Sequence, residues 1–197
     1  MRFVLASASP RRRELLPLLG LPFEIVEPEV EELDEGDPLE VVLRNAELKA
    51  RAVAADEAVA RGAWVLGCDT DVVADRAVLG KPVDAAGARE RLRLLAGREH
   101  HVHSGVWLLR KGGDGTPERG EGAVETTVVR FRELSEREID AYVATREWEG
   151  RAGGYAVQGF GSSLIAAIDG DLSNVIGLPL PLTARLIESL QIRSEMI

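Results

Sequence analysis

The chain is poor in cysteine, in aromatic rings and in positive charge, and each shortage excludes something. Cys68 is its only cysteine. No internal disulfide can form and no cysteine-based zinc site can be built, a usage that fits a reducing cytoplasm. Aromatic residues make up 5% of the chain, too few for the stacking platforms of single-strand nucleic-acid binders. Lys and Arg number 24 against 33 Asp and Glu, a net charge of −9. That balance argues against a nucleic-acid partner, but not against a small anion held by a local basic cluster. No window approaches the ~18 apolar residues of a membrane span. The apolar run from Phe3 to Ala6 falls short of the roughly 7–15 residues of a secretory signal. A soluble cytoplasmic protein without membrane or nucleic-acid partners is the expectation.

What remains is 45% hydrophobic over 197 residues, enough for a sizeable core in one domain, or in two lobes sharing one sheet. RFVLAS reads as a buried strand. Ser9-Pro10 then reads as a helix start, with an apolar face at Leu15, Leu16, Leu18 and Leu19 and an end at Gly20. A second strand is expected at 23–27. DPLE (37–40) opens a long helix running to about Arg61 and closed by Gly62. Strands follow over 63–69 and 71–75, with a short return at 77–79. Asp84 caps a helix that ends at Gly97, and 100–110 alternates as a strand. Residues 112–120 read as a hairpin loop and 124–131 as its returning strand. SERE (135–138) is a capping box for a helix to about Arg146. A glycine-rich stretch (150–162), a strand (163–168), a turn and a helix (181–190) complete the chain. Strands and helices mix without strict alternation, so a mixed sheet flanked by helices is expected.

Several clusters invite chemistry, and each has a plainer reading. Arg11, Arg12 and Arg13 crowd a strand–helix turn, where cations disfavour the helix unless an anion compensates. Taken alone, a solvated charged turn fits slightly better, and the stretch is no P-loop. Asp69 ends a buried strand, where α/β folds place ligands, and Lys81 sits on a rigid Gly-Lys-Pro return. A surface ion pair accounts for them equally. Glu29, Glu31 and Glu32 form an acidic run, Lys49 a helical lysine, and Gln158 the one amide in a glycine-rich loop. Each is weak by itself. His101 and His103 share a strand face but lack a clear third metal ligand. Ser7 and Ser9 lack a histidine base for a hydrolase triad.

Together these stretches resemble the Maf family almost end to end. LASASPRRRELL is similar to its opening, Leu-Ala-Ser-x-Ser-Pro-Arg-Arg-x-Glu-Leu-Leu. EVEE, GCDT, LGKP, LAGREHHVHSGV, LSEREI, AGGYAVQG and GLP follow in order. The resemblance implies an elongated mixed sheet in two lobes around a cleft, like the inosine triphosphate pyrophosphatases, with residues 1–197 as one Maf-like domain. It implies cleavage between the α- and β-phosphates of a nucleoside triphosphate, with Mg²⁺ or Mn²⁺. Arg12, Arg13, Lys49 and Lys81 would neutralise the triphosphate, beside Ser7. Asp69 would be the proton acceptor, with Glu32 an active-site acid, and the two would hold the metal. Arg11, Thr70 and Gln158 match the subgroup acting on dTTP and UTP rather than that acting on 7-methyl-GTP, where a glutamate replaces the glutamine. The chemistry agrees, since a neutral amide offers the one donor and one acceptor that uracil and thymine require. A homodimer is implied too. The alternative is a non-catalytic nucleotide-binding regulator of septum formation. Two departures stand out: Arg151 replaces the family's usual lysine, and Asp71 stands where an apolar residue is usual.

Overall fold

A computed structural model describes residues 2–114 and 116–192, without the side chains of Pro117 and Arg119. Among them, seven strands form one sheet in the order β2 (Glu24–Val26), β1 (Phe3–Ala6), β3 (Trp64–Ala74), β5 (Glu99–Lys111), β6 (Pro117–Phe131) and β7 (Ile165–Asp169), with β4 (Ala77–Val78) paired to β3. β1 runs parallel to both β2 and β3, whereas β3–β4 and β6–β7 are antiparallel. The expected mixed sheet is therefore present. Six helices accompany it: α1 (Pro10–Leu15), α2 (Pro38–Ala55), α3 (Ala85–Leu95), α4 (Glu136–Ala144), α5 (Leu172–Ile176) and α6 (Leu180–Ser189).

The chain divides into two compact units. One comprises Met1–Asp69, Ser104–Glu125 and Gly177–Ile197, and the other Thr70–His103 and Thr126–Ile176. The first buries small residues of α2, namely Ala50, Val53 and Ala54, against Val4, Ala6 and Val65 of its strands. Small side chains suit a helix lying close to a sheet. Two glycines bring it closer still. A Cβ on Gly67 of β3 would meet the carbonyl oxygen of Ala46 at 2.0 Å, and one on Gly105 of β5 would meet that of Val42 at 2.2 Å. Only glycine permits this approach. The second unit packs Leu92 and Leu95 of α3 and Ile139 and Tyr142 of α4 against Val129 and Phe131.

Sequence signals predict most elements and misplace some ends. α2 stops at Ala55 rather than near Arg61, because Asp56 turns extended (ψ 126) and its carboxylate accepts the amide of Ala58 at 2.9 Å. A side chain that offers the backbone a turn competes with the next helical bond. β6 begins at Pro117, well inside the stretch expected to be a loop, of which Gly115 lies outside the described residues. Glycines 120 and 122 face the Trp107 ring, which a Cβ at either would meet at 2.3 Å, so here glycine serves packing rather than a turn. α4 ends at Ala144, two residues early. α5 escapes prediction, being five residues started by Asp171, whose carboxylate accepts the Ser173 amide at 2.7 Å.

Candidate active site

The carboxyl ends of β2 and β1 lie beside the middle of β3, Ala6 being paired with Gly67 and with Val26; β3 runs on unbroken to Ala74, so Asp69 lies within a strand and not, as the sequence suggested, at the end of one. Two residues beyond Gly67, and so on the same face of β3, stands Asp69, 8% exposed. The face that Gly67 leaves open to α2 is thus the face from which Asp69 reaches that helix. Asn45 and Lys49, one turn apart on α2, meet it. Lys49 Nζ donates to Asp69 Oδ1 at 2.6 Å and Asn45 Nδ2 to Oδ2 at 3.0 Å. Lys49 also binds Glu32 Oε2 at 2.9 Å. One buried ammonium therefore joins the two acids that sequence reasoning proposed as partners.

Asn45 explains how an irregular acidic segment holds its place. Its Nδ2 donates to the Leu33 carbonyl at 3.0 Å and its Oδ1 accepts the Leu33 amide at 2.8 Å, while Nδ2 also serves Asp69. The side chain thus ties the residue beside Glu32 to the middle of β3. Sequence analysis missed it. The available signal was a polar residue of poor helix propensity one turn before Lys49, on the apolar face of an otherwise good helix. Burial by itself would push the Asp69 carboxyl up. The charges of Lys49 and Arg12, with the hydrogen bonds from Lys49 and Asn45, outweigh it and hold the group below the usual carboxylate range.

The arginines separate into distinct roles. Arg12 is buried; its Nε donates to the Gly177 carbonyl at 2.9 Å and its Nη1 to Ser7 Oγ at 3.4 Å. Ser7 Oγ also accepts the Ser9 amide at 3.1 Å. Arg13 turns outward to Glu27 at 2.6 Å, so its charge is partly neutralised. Arg11 is half-buried. α1 has six residues and Ser9 makes no side-chain cap, so the positive charge here resides in guanidinium groups, not in a helix terminus.

Thr70, Lys81 and Gln158 belong to the second unit. Thr70 and Asp71 are half-buried, Asp71 lying on the Asp69 face of β3. Lys81 is exposed on a return pinned at Leu79, whose amide donates to Val72 and whose carbonyl accepts from Gly153, both at 2.7 Å. Gln158 is exposed in the loop before a short 3-10 turn, Gly159–Leu164. His101 and His103 stack at 5.8 Å, and His103 meets Thr126 at 2.8 Å. Among the described residues no three or more His, Cys, Asp or Glu side chains gather as a metal cage. Glu32 and Asp69 converge as two carboxylates, the donor set Mg²⁺ uses when water and substrate phosphates supply the rest.

The family model described as Maf-like protein matches residues 2–190. A dTTP/UTP pyrophosphatase of Bacillus cytotoxicus is 45% identical over 194 residues, covering 96% of this chain and 94% of that protein. One of Symbiobacterium thermophilum is 47% identical, over 94% of this chain and 92% of its own. Among solved structures, a nucleoside-triphosphatase / dITP/XTP pyrophosphatase of Mycobacterium abscessus superposes with a TM-score of 0.45 at 14% identity, over 100% of this chain and 96% of that one.

Proposed function

We propose, for a chain that belongs to the Maf-like protein family, that it hydrolyses the α–β phosphate anhydride of dTTP and UTP to the nucleoside monophosphate and pyrophosphate. The observation that carries this reading is the Lys49 ammonium held between Glu32 and Asp69 at 2.9 and 2.6 Å. The two acids offset much of the ammonium's charge but fix its position, so it needs little reorientation to meet negative charge building up on a leaving pyrophosphate. Arg12, fixed by Gly177 and Ser7, adds a second preset charge for the polyphosphate. Lys81 and Arg11 complete the cationic set in this reading, and Arg13 joins it only by leaving Glu27.

Both Asp69 oxygens already accept hydrogen bonds from Lys49 and Asn45. A carboxylate so engaged is a weak proton acceptor. Its work in this reading is to hold Lys49 and orient water, which a loose phosphoryl-transfer transition state tolerates. Glu32 and Asp69 would hold a divalent Mg²⁺ or Mn²⁺, which when bound neutralises phosphate charge and makes a coordinated water more acidic. Gln158, with Thr70 and Arg11, would read the pyrimidine. Its amide complements N3–H and O4 of uracil or thymine, whereas a carboxylate would suit guanine. Cytoplasmic location and a homodimer belong to the same reading. Cys68 is a buried thiol in no disulfide, and no helix among the described residues is long and apolar enough to cross a membrane.

The test is a nucleotide panel with Mg²⁺ or Mn²⁺, separating pyrophosphate from orthophosphate, run on the wild type and on Asp69→Asn. Pyrophosphate from UTP and dTTP, lost by about 10³-fold in the variant, is expected. Orthophosphate as the product, or an unimpaired Asp69→Asn, overturns the reading.

A further inference from the structure

Residues Ala156 to Gly161 form a loop closed on itself. A Cβ on Gly161 would lie 2.0 Å from the Ala156 carbonyl oxygen, so the two ends touch through backbone, with Gln158 midway between them. Both ends are tied to the last turn of α4 or the residues just after it. At one, the Ala156 amide donates to the buried Tyr142 hydroxyl at 2.9 Å. At the other, the two oxygens of Glu147 accept consecutive amides, Phe160 at 2.9 Å and Gly161 at 3.0 Å. Gly159, between Gln158 and those amides, sits at φ +65, and a Cβ there would meet Glu147 Oε1 at 2.5 Å. The loop thus leaves room for that carboxylate as well as for its own turn. Glu147 is itself held. Its amide donates to Thr145 Oγ1 at 3.1 Å, and that hydroxyl donates to the Tyr142 carbonyl at 2.7 Å.

We infer that Glu147 is a positioning residue for base selection, a carboxylate that fixes Gln158 by clamping the far leg of its loop. The inference rests on the reading of Gln158 given above. Two charge-assisted hydrogen bonds to adjacent amides set the direction as well as the distance of the backbone. An amide that must match one donor and one acceptor on a ring edge tolerates errors of only about 0.5 Å. Glu147 touches no substrate in this account. Its effect passes through the placement of one side chain.

Glu147→Gln keeps the size and replaces one acceptor oxygen with an NH₂ that faces an N–H. It is expected to raise the KM for UTP and dTTP and to narrow the kcat/KM preference for UTP over GTP by about tenfold, the worth of one such bond. The kcat for UTP should change less. In a Gln158→Ala background the same substitution should leave base preference where Gln158→Ala put it. If Gln158→Ala abolishes the preference while Glu147→Gln retains it, the clamp is refuted and the Gln158 reading stands. If Gln158→Ala itself leaves the preference intact, the Gln158 reading fails and takes the clamp with it. Should Glu147→Gln not fold, as judged by circular dichroism, Glu147→Asp keeps the charge and draws the carboxylate back by one methylene from the Phe160 and Gly161 amides. An unchanged preference in that variant overturns the proposal.

Discussion

Replacing Gly67 by alanine tests the contact on which the proposed active site depends. The new Cβ would sit 2.0 Å from the Ala46 oxygen, 2.9 Å from the Ala50 nitrogen and 3.0 Å from the Ala46 carbonyl carbon. It would wedge beside the helical link from Ala50 to Ala46. An ordinary carbon–oxygen contact is about 3.3 Å or more, so something must yield by about 1 Å. None of the three atoms belongs to a flexible side chain, so α2 itself must move. Asn45 and Lys49 flank that turn, and their bonds to Asp69, now 3.0 and 2.6 Å, would stretch with it. Overpacking costs about 1–3 kcal/mol and a weakened bond to a charged group about 1.5–3 kcal/mol. The sum is about 4 kcal/mol, or about 10 °C in Tm for a chain of this size. A misplacement of 1 Å at the site should also cost about 10²-fold in turnover. The assays are thermal and urea unfolding with pyrophosphate release. Gly113→Ala, whose Cβ would meet nothing within 4 Å, is the control. A Gly67→Ala protein with wild-type Tm and turnover would show that α2 does not lie this close and that the argument is wrong.

Two further predictions follow from the buried charges. Lys49→Met removes the cation that Asp69 and Glu32 share. It should cost about 3 kcal/mol in urea unfolding, because Asp69 is left as a buried charge. Lys49→Met with Asp69→Asn should regain most of that stability and none of the activity; a single variant as stable as the wild type would contradict this. His100, fully buried, meets the Tyr155 hydroxyl at 2.8 Å, and burial lowers its pKa to about 4, with a smaller contribution from His101. The unfolded chain therefore binds the proton first as pH falls. This contribution to stability is complete above about pH 6.5 and is lost progressively toward pH 4, by about 3 kcal/mol in all. In His100→Gln that part of the slope should vanish, and an unaltered slope between pH 6.5 and 4.5 would refute the assignment.

Much of the fold was legible from local signals. Pro10 marked the start of α1, and the side-chain caps of Asp84 and Ser135–Glu138 those of α3 and α4, because they settle backbone geometry within a few residues. Asp56 defeated the end of α2, since nothing in the pattern says whether an aspartate solvates its side chain or takes a nearby amide. Gly120 read as loop because a strand under a tryptophan ring and a flexible turn share the same composition. In the candidate site, the motif singled out Glu32, Lys49 and Asp69, but not the amide of Asn45 that ties two of their segments together.

The order of residues alone determined most strands and helices, the family and the types of group available, because periodicity, caps and motif spacing act over short distances. Only the tertiary structure decided that Lys49 lies between two acids, that Arg12 is fixed by Gly177 from the far end of the chain, and that Arg13 turns away to Glu27. The first of these depends on how closely α2 can approach the sheet. That distance is set by the atoms missing from Gly67 and Gly105, which no local pattern can weigh.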